Sequence, residues 1–325
     1  MANITTDIQA CAQALRAGEL VAFGTETVYG LGANALDPQA VARIFAAKQR
    51  PEFDPLIVHV ADAAQVDELA EVRSPILMDL MQRFWPGPLT LLLPKRDCIP
   101  DLVTSGLPEV GLRIPRHPLA LELIRQAGVP VAAPSANLFG RISPTTAQHV
   151  QEQLGDRIDW ILDGGPCSVG VESTVLRVDE RGYGTVLRPG GVTLEELRFV
   201  LPNVTLAPGH LESKASASPG QLLKHYAPRK PLQLVTDWTT IAIPESCAAL
   251  AFQQQPPGNF VDIEVLSPAG SLTEAAANFF RALRRLDAGP AHVILAEEFP
   301  ETGLGIALND RLRRAAAGSG EPSDW

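Results

Sequence analysis

Two successive α/β patterns, joined by a stretch of small residues and proline, predict a larger mixed sheet with flanking helices followed by a smaller α/β unit. Three observations carry this reading. Short apolar runs alternate with helical patterns as far as Val204. Several of those runs lie too close together for a crossover helix, so parallel and antiparallel neighbours must mix. Composition then shifts, and a second alternation begins at Leu232. The length of 325 residues agrees, since single cores stop growing at about 250–300 residues.

Residues 5–17 place Ile8, Ala12 and Leu15 at helical spacing and stop at Gly18. Leu20 to Phe23 reads as a short buried strand. Gly24 to Ala35 (G-T-E-T-V-Y-G-L-G-A-N-A) reads as a glycine-punctuated turn. Asp37-Pro38 supplies an N-cap and first-turn pair, with Val41, Ile44 and Phe45 on one face of a helix ending in Lys48-x-Arg50. The same device is expected at Ser74-Pro75 and at Ser143-Pro144. Leu56 to Val60, Leu89 to Leu93, Val131 to Ala133, Trp160 to Leu162 and Thr174 to Val178 read as strands. His117 to Gln126 reads as a helix closed by Gly128, and Thr193-Leu-Glu-Glu196 is a capping box.

The expected boundaries are residues 1–205 for the first domain, 206–230 for a linker, and 231–325 for the second domain. In the second domain, Leu232 to Val235, Ala248 to Phe252, Ile263 to Leu266 and His292 to Ala296 are strands. A helix opens at Ser271, with Phe279, Leu283 and Leu286 facing inward. That alternation predicts a small Rossmann-like unit, although it carries no glycine fingerprint.

Composition narrows the function. No apolar run reaches the ~18 residues of a membrane helix, and the start lacks the pattern of a signal sequence. The cysteines Cys11, Cys98, Cys167 and Cys247 lie far apart, which disfavours a disulfide or metal–cysteine framework and favours the cytoplasm. A formal charge of -10 disfavours nonspecific nucleic-acid binding. A local basic pocket remains compatible with it.

The residues that could carry chemistry are weak one at a time. Lys48 and Arg50 at a helix end stabilise its dipole without any ligand. Arg113 sits in the apolar V-G-L-R-I-P and needs an anionic partner, either a ligand or an internal carboxylate. Arg188 leaves a second apolar strand at T-V-L-R-P-G-G. Ala132 to Thr145 contains Ser135 and Asn137 in a loop, then Ser143, most simply the N-cap of the next helix. Glu172, Ser173 and Thr174 begin a strand, and His59 closes P-L-I-V-H. No nucleophile and base stand out. Separate cations with hydroxyl-bearing turns make a site for positioning and charge stabilisation, the kind that phosphoryl and nucleotidyl transfer need.

The motifs T-E-T-V-Y-G-L-G, K-Q-R-P, P-L-I-V-H, W-P-G-P-L-T, L-R-I-P, A-P-S-A-N, S-P-T, G-V-E-S-T and L-R-P-G stand here in the order of the YrdC-like family, which residues 8–205 resemble. S-P-G-x-x-x-x-H-Y-A-P (Ser218 to Pro228) and the region after it resemble the long, two-domain form. The resemblance implies a YrdC-like twisted mixed sheet and an L-threonylcarbamoyladenylate synthase. Such a nucleotidyltransferase combines L-threonine, bicarbonate and ATP and releases pyrophosphate, and its product serves tRNA modification beside the anticodon. Carried over by position, Thr27, His59, Arg113, Ala133 and Ser173 should contact threonine. Lys48, Arg50, Asp54, Glu109, Ser135, Asn137, Ser143 and Arg188 should surround ATP, with Lys48 and Arg50 as the catalytic cations. Tyr226 should close over the nucleotide, which makes the linker a lid. Mg2+ is expected with ATP, and other tRNA-modification proteins are the expected partners.

Two positions depart from the family's pattern. Gly24 stands where proline is common and should loosen the turn. Asp54 stands where asparagine or histidine is usual, so its carboxylate should touch Mg2+, a hydroxyl or a neighbouring arginine, and Asp54→Asn should leave activity intact or improved. The rivals are a basic RNA-binding module, disfavoured by the acidic charge, and a transferase using carbamoyl phosphate, whose extra cysteine-rich or catalytic modules are not in this sequence.

Overall fold

The computed structural model describes residues 1–72, 74–207, 225–243 and 245–320. The first unit contains β1 (Asn3–Thr5), β2 (Val21–Gly24), β3 (Tyr29–Asn34), β4 (Ile57–His59), β5 (Leu89–Pro94), β6 (Glu109–Arg113), β7 (Val131–Ala132), β8 (Trp160–Leu162), β9 (Thr174–Val178), β10 (Gly184–Arg188) and β11 (Val204–Leu206). They form one sheet in the order β1-β8-β2-β3-β7-β4-β6-β5-β9-β10-β11. Its pairings are mixed, antiparallel for β2 with β3 and for β5 with β6, parallel for β4 with β6 and for β5 with β9.

The second unit has β12 (Leu232–Val235), β13 (Cys247–Ala251), β14 (Asp262–Val265) and β15 (Val293–Glu297), all parallel, in the order β12-β15-β13-β14. Helices Leu272–Ala288 and Leu304–Gly318 accompany this sheet. The architecture is the expected mixed α/β fold with a smaller parallel α/β unit.

Three local departures have physical causes. The glycine-punctuated segment after Gly24 is a strand as well as a turn. Tyr29–Asn34 pairs with Val21–Gly24, and Gly24 faces Tyr29 across the ladder. A side chain at Gly24 would start 3.1 Å from the Tyr29 ring. The missing side chain therefore admits that ring, whose hydroxyl donates to the Gly165 carbonyl at 2.8 Å. The loosened turn expected at Gly24 is thus a closed one. Ser143 is not a helix cap. The next helix is Ala147–Leu154, capped by Thr146. Ser74 begins the helix Pro75–Phe84 without a side-chain cap bond. Of the expected linker, residues 208–224 lie outside the described residues, and His225 to Lys230 are described.

The two units share a core. Phe279, Phe280, Leu308 and Leu312 of the second pack in one cluster with Val28, Ile142 and Val171 of the first and with Tyr226. A Cβ at Gly170 would start 2.2 Å from the Ala276 carbonyl oxygen, so only glycine lets the two backbones approach so closely. Among the described residues, no helix is long and apolar enough to cross a membrane.

Helix Pro38–Lys48 delivers Lys48, so its start matters to its end. Asp37 caps it by accepting from the Gln39 and Ala40 amides. Asp37→Ala should lower stability by about 1 kcal/mol. Urea unfolding of the variant against the parent measures this.

Candidate active site

Strand ends and the loops after them surround one cavity. At one side, the turn after β2 folds back on itself. Thr25 Oγ1 donates to the Val28 carbonyl at 2.7 Å and lies 2.8 Å from Thr27 Oγ1. Arg113, at the end of β6, donates through Nη1 to Thr27 Oγ1 at 3.0 Å and through Nε to the Gly87 carbonyl at 3.1 Å. Its Nη2 pairs with Glu26 Oε1 at 2.7 Å. Burial raises the Glu26 pKa, but the Arg113 charge and its hydrogen bond outweigh this and leave it below the usual carboxylate range. Arg113 therefore has its internal partner. A guanidinium has five N–H donors, of which these contacts use three.

His59 ends β4 in register with Arg113 and lies edge-on to Phe23, with ring centroids 6.1 Å apart. Burial, with Arg113 beside it, pushes its pKa down to about 3, so the ring is neutral. Ser173 also lines the cavity, its Oγ 2.8 Å from Thr90 Oγ1. Arg188, at the end of β10, grips the same residue, with Nη2 donating to the Ser173 carbonyl at 2.9 Å and to Ser173 Oγ at 3.1 Å.

On the other side, Lys48 ends its helix and turns its ammonium onto the carbonyls of Ser135 and Asn137. Burial and the nearby Arg50 charge push its pKa well down, and Asp54 opposes the shift. The left-handed residue Gln49, at φ 54°, ends the helix and leads directly to Arg50. Arg50 donates to the carbonyls of Asp54 and Pro55 and pairs with Asp54 Oδ2 at 2.8 Å.

The cavity wall brings together Thr27, His59, Arg113, Ala133 and Ser173 with Arg50, Ser135, Arg188 and Tyr226. Lys48, Asp54, Asn137 and Ser143 are buried without lining it. Asn137 donates to the Leu138 and Arg141 carbonyls, bracing the loop that Lys48 holds. Ser143 donates to Glu172 Oε1 at 2.6 Å, which explains its burial away from a helix start. Glu109 is not among the lining residues; it pairs with Arg177 at 2.6 Å and lines a separate small cavity.

Tyr226 is 1% exposed, with φ 62°, and its ring meets His225 edge-on at a centroid separation of 4.2 Å. Burial, with Glu172 nearby, pushes its hydroxyl up to about 12.

Glu26 and Arg311 are not singled out by the sequence, and it gives Glu172 and His225 no ionic or positioning role. Glu26 and Glu172 lie inside the quoted motifs, but the arginines that pair with them, Arg113 and Arg311, stand far away in the sequence. His225 and Tyr226 read as loop residues whose rings are costly to leave in water, so that their segment should lie against a domain, and both are buried. Arg311 has only the Asp310 to Arg314 spacing as a clue, one turn of charge on a helix whose neighbours Leu308 and Leu312 are buried.

Mg2+ does not fit as a resident ion. Glu26, Asp54 and Glu172 are each paired with an arginine, and no group of metal-ligating side chains occurs among the described residues.

A family model described as Telomere recombination matches residues 13–190, and one described as Threonylcarbamoyl-AMP synthase, C-terminal domain, matches residues 192–317. This chain belongs to the YrdC-like family of threonylcarbamoyl-AMP synthases. It is 43% identical to the threonylcarbamoyl-AMP synthase of Bacillus subtilis, over 96% of this chain and 93% of that protein. The Pyrococcus abyssi enzyme of the same name is also 43% identical, over 95% of this chain and 94% of its own length. A crystal structure of P. abyssi Sua5 complexed with L-threonine superimposes with a TM-score of 0.87 at 39% identity, covering 96% of this chain and 94% of that one.

Two outcomes follow from the buried charges. Asp54 is fully buried and meets a neighbouring arginine, Arg50, one of the three partners expected of it; Asp54→Asn removes that charge pair and should cost stability on the order of 3 kcal/mol, read by urea unfolding. His59 binds a proton far less readily when folded than at its ordinary 6.5. Its neutral form contributes stability above pH 6.5 that is lost as pH falls toward 3. His59→Gln should remove about 2 kcal/mol of the destabilisation between pH 7 and pH 5, measured by urea unfolding at both values.

Proposed function

We propose that this chain condenses L-threonine, bicarbonate and ATP into threonylcarbamoyl-AMP with release of pyrophosphate, in support of threonylcarbamoyl-adenosine formation beside the anticodon of tRNA. The observation that carries the reading is one continuous cavity. Its Arg113 end suits an amino acid, and its Arg50 and Arg188 side suits phosphates.

At the amino acid end, the two N–H groups that Arg113 does not spend on protein can take the threonine carboxylate side by side. Glu26 and the Gly87 carbonyl hold the guanidinium in place meanwhile. Thr27 and Ser173 offer hydroxyls to the substrate. His59 Nδ1 has no hydrogen-bond partner among the described residues and is neutral, so it serves the substrate as one donor or acceptor without adding charge.

The threonine amine adds to the carbon of bicarbonate, and loss of water leaves an N-carboxylate. A carboxylate oxygen then attacks the α-phosphorus, and the bond to the β-phosphate bridge breaks as pyrophosphate departs. In this reading Arg50 and Arg188, with Lys48 behind Ser135, offset the charge gathering on that leaving group. An anion at this position also favours the charged form of Lys48, which burial opposes. No side chain need form a bond with substrate. Mg2+ enters in this reading with its ATP, as part of the substrate.

Pyrophosphate release from ATP should require both L-threonine and bicarbonate. Release that continues unchanged when either is omitted overturns the reading. Arg113→Lys replaces a fork by a point charge and should raise the KM for threonine by roughly 10–100-fold with a smaller effect on ATP. Initial rates over a threonine titration test this.

A further inference from the structure

Arg311 belongs to helix Leu304–Gly318 of the second unit and is fully buried, yet its contacts reach into the first. Nε pairs with Glu172 Oε2 at 3.0 Å. Nη1 donates to the carbonyl of Pro189, the residue after Arg188. The guanidinium carbon lies 5.4 Å from the centre of the Tyr226 ring. On its own helix it pairs with Asp310, which also pairs with Arg314 at 2.9 Å.

These contacts share a destination. Glu172 uses its other oxygen to accept from Ser143, so Arg311 and Ser143 fix one carboxylate from opposite sides. Pro189 carries the backbone that aims Arg188, and Tyr226 lines the cavity. Arg311 makes no direct contact with Arg113, His59 or Thr27, and it reaches Ser173 only through the neighbouring Glu172 and through Arg188. Stability alone is a poor reason for such a residue, because desolvating an ion pair offsets most of its attraction and an apolar pair of equal volume often does as well. Burial lowers the Arg311 pKa, but Tyr226, Glu172 and Asp310 outweigh it, so the guanidinium stays charged.

We propose that Arg311 is a positioning residue for the nucleotide half of the cavity. It holds Ser143 through Glu172, Arg188 through Pro189, and the Tyr226 ring directly, so the second unit completes the site of the first. This rests on the reading that the Arg188 side of the cavity takes ATP.

Arg311→Lys keeps the buried charge but loses the fork, and Arg311→Met loses both. The full-length variants are compared with the parent in three measurements: the thermal transition, the affinity for L-threonine alone by calorimetry, and initial rates of pyrophosphate release against ATP. Arg311→Lys should keep a cooperative transition, bind threonine within about 2-fold of the parent, and raise the KM for ATP by at least about 10-fold. Arg311→Met should go further in the same direction. A variant that folds with an unchanged KM for ATP overturns the inference. So does one that loses threonine and ATP affinity in parallel, which is the mark of a general packing role. Failure of Arg311→Lys to fold also overturns it, because that result makes the fork a requirement of stability. The parent run in the same series separates the two readings. Release independent of threonine or bicarbonate removes the synthase reading, whereas normal release by the parent with no ATP-selective defect removes only the role of Arg311.

Discussion

The governing constraint on this molecule is the burial of cations around one cavity. Lys48, Arg50, Arg113, Arg188 and Arg311 are each at most 6% exposed. A bare charge at such depth costs several kcal/mol, and each therefore needs acceptors fixed in advance. Lys48 and Arg188 find theirs mainly on backbone carbonyls, whereas Arg50, Arg113 and Arg311 add a carboxylate each. Backbone acceptors are available only where a strand or helix has ended and its carbonyls lack ladder partners. That is why the site gathers at element ends and why the loops between them are so tightly tied. The close approach at Gly190, where a Cβ would start 2.3 Å from the Glu172 carbonyl, belongs to the same arrangement.

The large outline was legible because it rests on local signals. Apolar runs and caps such as Asp37-Pro38 and the Thr193–Glu196 box read correctly, since each depends on neighbours a few residues away. Tyr29–Asn34 was harder to see as a strand. Its glycines at positions 30 and 32 signal a turn, but here they make room for Ala133, Phe23 and Val131 on adjoining strands. Ser143 misled in the opposite way, because a serine before proline looks like a cap whatever its hydroxyl finally meets. The site was legible mainly through resemblance. Lys48 read alone is a helix end, and only its distant carbonyl partners at positions 135 and 137 give it another meaning. Arg311 was illegible for the same reason carried further, since its partner Glu172 lies 139 positions away.

The second unit is joined to the first by more than a tether. Tyr226 lies at 5.6 Å from Phe280 on one side and beneath Arg311 on another, while Phe139 reaches His225 from the first unit. The isolated bridge between Arg141 and Ala227 ties the same short segment to the loop after β7. One His-Tyr pair is therefore held simultaneously by both units, and neither unit presents a finished cavity wall alone.

The buried arginines and lysine sit in a chain whose formal charge is -10. An approaching anion consequently meets two fields of opposite sign at different ranges. Far from the surface, the acidic body repels it. Within the cleft, fixed cations attract it. Dissolved salt weakens the first field strongly, with a Debye length of about 8 Å at physiological ionic strength, and hardly touches contacts shielded from water. The molecule thus admits anions by fit at short range and discourages loose adhesion of polyanions elsewhere on its surface.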